Sequence, residues 1–221
     1  MSIYLLDIYR SPNIGVFIKG NDEFIFIPSG LSTTKTSKLS NYLEVKPIQS
    51  SISGSRLNGA LSSMNSKGIL VSKLTDDREL LILKKETGLN VERVPGKYTS
   101  IGNLIVANDN GAIASPILSD KDLEVAKRTL NVPIKTLTIA DYFQVGSMLA
   151  VTNKGAIIHP NASKEELKLV SDTLSVDVEQ TTINGGVPFV SSGLIANSRN
   201  VIAGNITTGP ELMMLSRAFK V

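Results

Sequence analysis

The sequence predicts an α/β protein that forms a closed ring of five similar units, each ordered strand, strand, helix, strand. Three observations predict this fold class: glycines recur about every 44 residues, a turn containing Asn follows each of them, and a helix with one apolar spacing comes next. The matched glycines are Gly15, Gly59, Gly102, Gly146 and Gly193, with separations of 44, 43, 44 and 47 residues.

Each unit is expected to open with a β-hairpin. An apolar run surrounds the glycine, a turn follows, and a second apolar run comes after the turn. In the third unit, residues 101–106 and 112–114 flank the turn Asn108-Asp109-Asn110-Gly111. Asn and Gly favour such turns because they tolerate the positive φ of tight hairpins.

The predicted helix of each unit carries its apolar residues at positions 0, +3 and +7, which form one face of a helix. These positions hold Thr36/Leu39/Leu43, Leu80/Leu83/Thr87, Leu123/Ala126/Leu130, Leu167/Val170/Leu174 and Leu212/Leu215/Phe219. Helix starts are marked by the capping-box pairs Ser163/Glu166 and Thr208/Glu211, and by the weaker pair Ser119/Asp122.

A third strand follows the helix in the first four units, whereas the chain ends in the fifth helix. Residues 3–8 are predicted to complete the fifth unit, because Ile8 precedes Gly15 by the same seven residues that separate Ile52 from Gly59. The chain is then one domain, 1–221, with repeats at approximately 9–52, 53–95, 96–139, 140–183 and 184–221. An open α/β sheet would explain the alternating elements but not the matched glycines and helix faces.

Composition narrows the possible functions. The chain has no cysteine, which excludes disulfides and thiolate chemistry, and one histidine, His159. No Asp/Glu cluster has ligand spacing, so neither a metal nor a cofactor is expected. The net charge of +3 comes from scattered residues, unlike a nucleic-acid-binding stripe. Without a basic leader or a stretch of about 20 apolar residues, the expected location is the cytoplasm.

Five stretches carry a resemblance to a known family. They are residues 13–19, 101–112, 145–160, 182–190 and 207–212, which read NIGVFIK, IGNLIVANDNGA, VGSMLAVTNKGAIIHP, TINGGVPFV and TTGPEL. With them, the chain resembles the archaeal and eukaryotic translation initiation factor 6 family, the ribosome anti-association factors. The archaeal form is expected, because the eukaryotic members continue into a regulated tail beyond the fifth helix.

This resemblance implies a pentein fold, which is a five-bladed α/β propeller with fivefold pseudosymmetry. It further implies a monomer that binds the intersubunit face of the large ribosomal subunit, at a ribosomal protein near rRNA, and blocks the small subunit sterically. Neither DNA nor a membrane is an expected partner. The alternative function is a protein-binding scaffold that acts in ribosome biogenesis or elsewhere.

The resemblance also suggests docking residues on one face of the ring. The first set is the pair Gly102-Asn103, together with Ser147, Met148 and Ala60 at the equivalent places of other units. The second set is Arg56 and Arg93, which are placed, with Lys97, in the loops before the glycine-bearing strands. Asn103 could instead satisfy backbone amides at a strand start, Met148 could belong to the core, and the basic residues could be solvated surface charges.

An enzymatic function is not expected. Penteins that modify guanidinium groups use a cysteine nucleophile, which this chain lacks. A hydrolase based on Ser or Thr would need a base, and only His159 is available; a structural role suits it better. The segment Gly185-Gly186-Val187-Pro188 is interpreted as a three-residue insertion that explains the 47-residue spacing.

Overall fold

The computed structural model describes residues 2–221 and contains five three-stranded sheets. The strands are β1 Ile3–Leu6, β2 Lys19–Gly20, β3 Phe24–Ile27, β4 Lys46–Gln49, β5 Ser62–Met64, β6 Gly68–Ser72, β7 Asn90–Val94, β8 Ile105–Ala107, β9 Ala112–Ala114, β10 Ile134–Thr136, β11 Leu149–Val151, β12 Gly155–Ile158, β13 Asp177–Gln180, β14 Leu194–Ala196 and β15 Val201–Gly204. In every sheet the middle strand pairs antiparallel with the first strand of its hairpin and parallel with the third strand.

Ten helices alternate between two lengths within the described residues. The short ones are α1 Ile14–Phe17, α3 Asn58–Leu61, α5 Ile101–Leu104, α7 Val145–Met148 and a 3₁₀ helix, η1, at Val190–Gly193. The long ones, of 11 residues each, are α2 Thr33–Leu43, α4 Asp77–Thr87, α6 Asp120–Leu130, α8 Lys164–Leu174 and α9 Gly209–Phe219. Each unit therefore contributes one short helix, one hairpin, one long helix and one parallel strand.

The short helices correct the sequence prediction, which assigned the glycine-bearing runs to strands. Each run forms one helical turn before the first strand begins. The reason is a close backbone contact between neighbouring units: a Cβ on Gly59 would lie 1.8 Å from the carbonyl oxygen of Gly15. The same contact joins Gly102 to Gly59, Gly146 to Gly102, and Gly15 to Ser191. The contacts therefore pass around the ring from unit to unit.

The fifth position of this ring belongs to Ser191 and not, as the sequence analysis assumed, to Gly193. Ser191 is the second residue of η1, as Gly15 is of α1. The loop before η1 closes with a bridge between Ile183 and Val187, whereas the corresponding bridge before α1 joins Ile8 to Ser11. The insertion in this loop is thus one residue and not three.

The amino-terminal strand lies in the fifth sheet. β1 pairs in parallel with β15, from Ile3 opposite Val201 to Leu6 opposite Gly204. The strand ends at Leu6, and Ile8 forms only the isolated bridge of the following turn. The first and last units are joined through this sheet, while the residue limits of the five repeats stay a prediction.

The predicted helix faces point into the core. All +3 and +7 positions except Thr87 are buried, and the first positions are partly buried. The capping boxes Ser119/Asp122, Ser163/Glu166 and Thr208/Glu211 are present, as predicted. A fourth, Asp76/Glu79, was missed because Asp was not considered as the cap residue.

Asparagines of the hairpin turns connect neighbouring units. The Nδ2 atom of Asn65 donates to the carbonyl oxygens of Asn108 (3.1 Å) and Leu130 (2.9 Å). Asn108 repeats this pattern, donating to Thr152 and Leu174 of the next unit. Turn geometry was the expected role of these residues, and their Oδ1 atoms do accept from their own turns. The side chains also fasten the units together at this end of the ring.

The glycine contact predicts the effect of adding one methyl group. Gly59→Ala should lower the free energy of unfolding by about 3 kcal/mol or more, because the Cβ meets backbone that cannot move independently. Ser37→Ala, at an exposed position of α2, is the control, and its stability should be unchanged or slightly higher. Chemical denaturation of both variants measures the difference. Equal stabilities would contradict the close packing of the short helices.

Candidate docking site

The short helices surround a cavity of about 540 Å³ at one end of the ring axis, called here the axial cup. It is lined by Asn13, Gly15, Val16, Gly59, Ala60, Asn103, Tyr142, Gln144, Ser147, Met148, Val187, Phe189, Ser191 and Ser192. None of these lining residues is Asp, Glu, Lys or Arg. The cup is therefore an uncharged, mainly apolar concavity with amide and hydroxyl groups at its wall.

One position of the repeat supplies a full circle of cup residues. The residue after each ring position is, in chain order, Val16, Ala60, Asn103, Ser147 and Ser192, and all five line the cup. The structure thus brings together the predicted residues Ala60, Asn103 and Ser147. Met148 also lines the cup but is only 1% exposed, because it packs in a core cluster with Val145 and Leu149.

Gly102 is buried and does not line the cup. A Cβ there would lie 2.0 Å from the carbonyl oxygen of Gly59. Gly102 therefore positions Asn103 by allowing α5 to pack against α3.

Large apolar side chains are exposed at the same end of the ring. Tyr142 and Phe189 line the cup, are 43% and 41% exposed, and pack edge to face with centroids 6.1 Å apart. Tyr9, Leu57 and Phe143 lie just before short helices and are also exposed. We call these five residues the apolar rim. Exposed apolar groups around a concavity are typical of an interaction surface.

The two predicted arginines occupy different places. Arg56 is exposed, and its guanidinium lies 5.3 Å from the ring centroid of Tyr9, so it sits beside the apolar rim. The assignment of Arg93 to a loop was wrong: it lies in β7, where Nε donates to the carbonyl oxygen of Thr75 and Nη2 pairs with Asp77, each at 2.6 Å. These bonds tie the strand to the start of α4, so Arg93 is not brought to the cup.

Carboxylates at the start of the long helices hold the turns that precede the short helices. Glu211 accepts from the backbone amides of Gly185 and Gly186, each at 2.9 Å, and from Thr208 and Thr182. Glu79 likewise accepts from the backbone amides of Ser53 and Gly54. Asp122 accepts from the amide of Gly96, and Glu166 accepts from the amide of Ala140. The acidic residue of each capping box therefore also positions the turn that precedes a short helix, beside the cup.

The hydrogen bonds that Glu211 accepts lower its pKa by more than its burial raises it. Burial alone would raise the pKa, but the donors on Thr208, Gly185, Thr182 and Gly186 favour the carboxylate and lower its pKa to about 2. Val187 and Phe189 follow this anchored turn, so the charge of Glu211 helps to fix one side of the cup.

His159 has a structural environment, in agreement with the sequence interpretation. Its ring is buried, lies 5.6 Å from that of Tyr142, and accepts at Nδ1 from the amide of Asn161. Burial lowers its pKa, against a smaller opposing effect of Glu166. Within residues 2–221, no group of three or more His, Asp or Glu is placed to hold a metal ion. Nor does that part of the chain have a helix long and apolar enough to span a bilayer.

Several cup residues were missed at the sequence level. Val16 and Ser192 share the repeat position of Asn103, and Ser192 was hidden by the choice of Gly193 as the fifth ring position. Asn13, Gln144 and Phe189 share another position, the residue before each short helix. Correct alignment of the fifth unit would have identified Ser192 and Phe189, whereas Val16, Asn13 and Gln144 lie in units that were already aligned correctly.

A model of the eIF-6 family matches residues 3–218. The chain belongs to the eIF-6 family. It is 53% identical over 219 residues to translation initiation factor 6 of Nitrosopumilus maritimus, with 99% of each chain covered. The corresponding factor of Cenarchaeum symbiosum is 48% identical over the same length and coverage. These relatives support a role of this eIF-6 family protein in translation initiation.

A solved structure of low sequence identity shares the fold. It is a mutant N-terminal domain of ArgZ, a cyanobacterial arginine dihydrolase, bound to substrate. The TM-score is 0.50 at 10% identity, and the match covers 79% of this chain and 80% of that one. The likeness supports the pentein fold with its fivefold pseudosymmetry and says nothing about activity.

Glu211 gives the domain a specific sensitivity to acid. Its pKa is lowered from 4.5 to about 2, so its stabilising effect is complete above about pH 4.5 and is lost as the pH falls towards 2. Glu211→Gln should cost about 3 kcal/mol at pH 7 and flatten the pH dependence between 4.5 and 2. Denaturation at several pH values measures this. Glu165→Gln, at an exposed position, is the control; identical profiles for the two variants would contradict the role of Glu211.

Proposed function

We propose that this protein binds the large ribosomal subunit through the axial cup and apolar rim, and thereby prevents the small subunit from joining. The names of its relatives support a translation factor. The observation that carries the proposal is the uncharged cup of about 540 Å³, surrounded by exposed Tyr142 and Phe189 on a closed ring.

The shape of the site favours tight binding without rearrangement. The cup is built from short helices whose backbones contact one another around the axis, so little conformational entropy is lost when a partner docks. A specific interface needs about 800 Å² per partner. The cup with its rim is a central apolar contact of the kind that dominates such interfaces.

The chemistry of the cup favours a protein surface at its centre. No acidic or basic side chain lines it, whereas a surface that binds RNA phosphates needs Lys or Arg. We assign to Arg56, which lies beside Tyr9, a contact with a phosphate at the edge of the interface. We therefore propose a ribosomal protein at the cup and rRNA near the rim, with steric exclusion as the mechanism.

The alternative is a scaffold for a different protein partner. It would use the same cup, because the apolar rim fits any complementary protein surface. The two functions differ in whether purified large subunits bind the chain.

Asn103→Arg tests the proposed face. It places a charge inside the uncharged cup, and a buried unpaired charge should weaken binding to large subunits at least tenfold, or about 1.4 kcal/mol. Ser37→Arg adds the same charge at an exposed position of α2 and should leave binding unchanged. Co-sedimentation with purified large subunits measures both.

The salt dependence of binding separates apolar docking from phosphate contacts. The wild-type affinity should fall only slightly between 50 and 200 mM salt, on the scale of one or two phosphate contacts.

Two outcomes of the co-sedimentation experiment would contradict the proposal. Equal binding of wild type and Asn103→Arg would move the interface elsewhere on the ring. A complete lack of binding by the wild type would favour the scaffold function.

A further inference from the structure

Three cavities follow one another along the ring axis. The axial cup shares Gly15 and Ser191 with a smaller cavity of about 50 Å³, called here the waist. The waist shares Gly20, Met64 and Ala107 with a third cavity at the opposite end, where the hairpin turns meet. The waist is therefore the narrow middle of the axis and is lined mainly by the first strands of the hairpins.

Lys19 is the one residue with a charged side chain among those that line the waist. The remaining lining is apolar or small: Gly15, Ile18, Gly20, Met64, Val106, Ala107, Leu149, Ala150, Val151, Ser191, Leu194, Ile195 and Ala196. No carboxylate of residues 2–221 lies within ion-pair distance of Lys19, and its ammonium donates to no oxygen of those residues. A cation so placed is without a counter-charge from the described chain.

Packing of the ring does not require a lysine at this position. The equivalent residue, four after each ring position, is Ser63, Val106, Ala150 or Ile195 in the other units. Four of the five units thus have a neutral side chain at this position of the first hairpin strand. The lysine of the first unit adds a charge that the fold itself does not use.

The acidic groups that line the cavity next to the waist have other partners. Asp22 and Asp109 line the cavity at the hairpin-turn end. Asp22 accepts from the amide and hydroxyl of Ser198, and Asp109 accepts from the amide of Ser66 at 2.8 Å. Both also accept from Asn153. Their charges are held by these donors and not by Lys19.

We infer that the waist is a binding site for a small inorganic anion, held by the ammonium of Lys19. A single water needs about 10–15 Å³ of such space, so a cavity of about 50 Å³ admits a halide-sized ion with a few waters. Larger organic anions do not fit. The site belongs to the ring itself and does not depend on the proposed ribosome binding.

The protonation of Lys19 agrees with this site. Lys19 is partly buried, and desolvation lowers its pKa to about 8, so the ammonium form still predominates at neutral pH. An anion beside it favours the charged form and must raise that pKa. Binding should therefore be strong at neutral pH and weaken as Lys19 loses its proton at higher pH.

Bromide is the probe for the first test. The melting temperature of the full chain is measured in increasing sodium bromide, at an ionic strength kept constant with sodium gluconate, whose anion is too large for the waist. The wild type should gain stability with bromide, because the anion binds the folded state. Lys19→Met should lose this gain, and Lys38→Met, at an exposed position of α2, should keep it. Equal bromide dependence in the wild type and Lys19→Met would overturn the site.

Two measurements on the wild type apply even if Lys19→Met fails to fold. Crystals soaked in bromide should show an anomalous peak within contact distance of Lys19 Nζ. In solution, the pKa of Lys19, followed by NMR of the labelled side chain, should rise with bromide at constant ionic strength. An unchanged pKa together with no anomalous peak would mean that water alone solvates the ammonium, and would overturn the proposal.

Discussion

The structure depends on the contact between neighbouring short helices at the ring axis. Four of the five ring positions are glycine, and a Cβ on Gly15, Gly59, Gly102 or Gly146 would overlap backbone of the adjacent unit. Because the backbones touch directly, the units can approach the axis closely enough for the first strands to enclose it. This contact therefore positions the residues that line the axial cup and the waist.

The same contact determines which side chains line the cup. The ring presents the residue after each ring position to the cup, so the character of the site follows from five side chains. Here they are Val16, Ala60, Asn103, Ser147 and Ser192, which supply no nucleophilic thiol, acid or base. With exposed Tyr142 and Phe189 at its edge, such a surface is suited to contact with a protein.

Features with local causes were predictable from the sequence. The long helices have an apolar face and capping boxes such as Ser163/Glu166, and both signals lie within one helix. The short helices were not predictable, because runs such as residues 14–18 are apolar enough for a strand and only contact with the next unit makes them turn.

The candidate site was predictable only where a glycine marks the repeat. Asn103 was found through its neighbouring glycine, while Phe189 was missed because η1 lacks glycine at the ring position. Arg93 was assigned to a loop although the third strand of its unit was itself predicted over residues 91–94, and its partners, Thr75 and Asp77, are not evident from the sequence.

The most direct test of this account is a cryo-electron microscopy map of the chain bound to purified large ribosomal subunits. The account predicts that the cup end of the ring faces the subunit, with Asn103 and Phe189 covered by a ribosomal protein and the hairpin-turn end exposed. A map in which the hairpin turns or the outer helices make the contact, and the cup remains open, would contradict it.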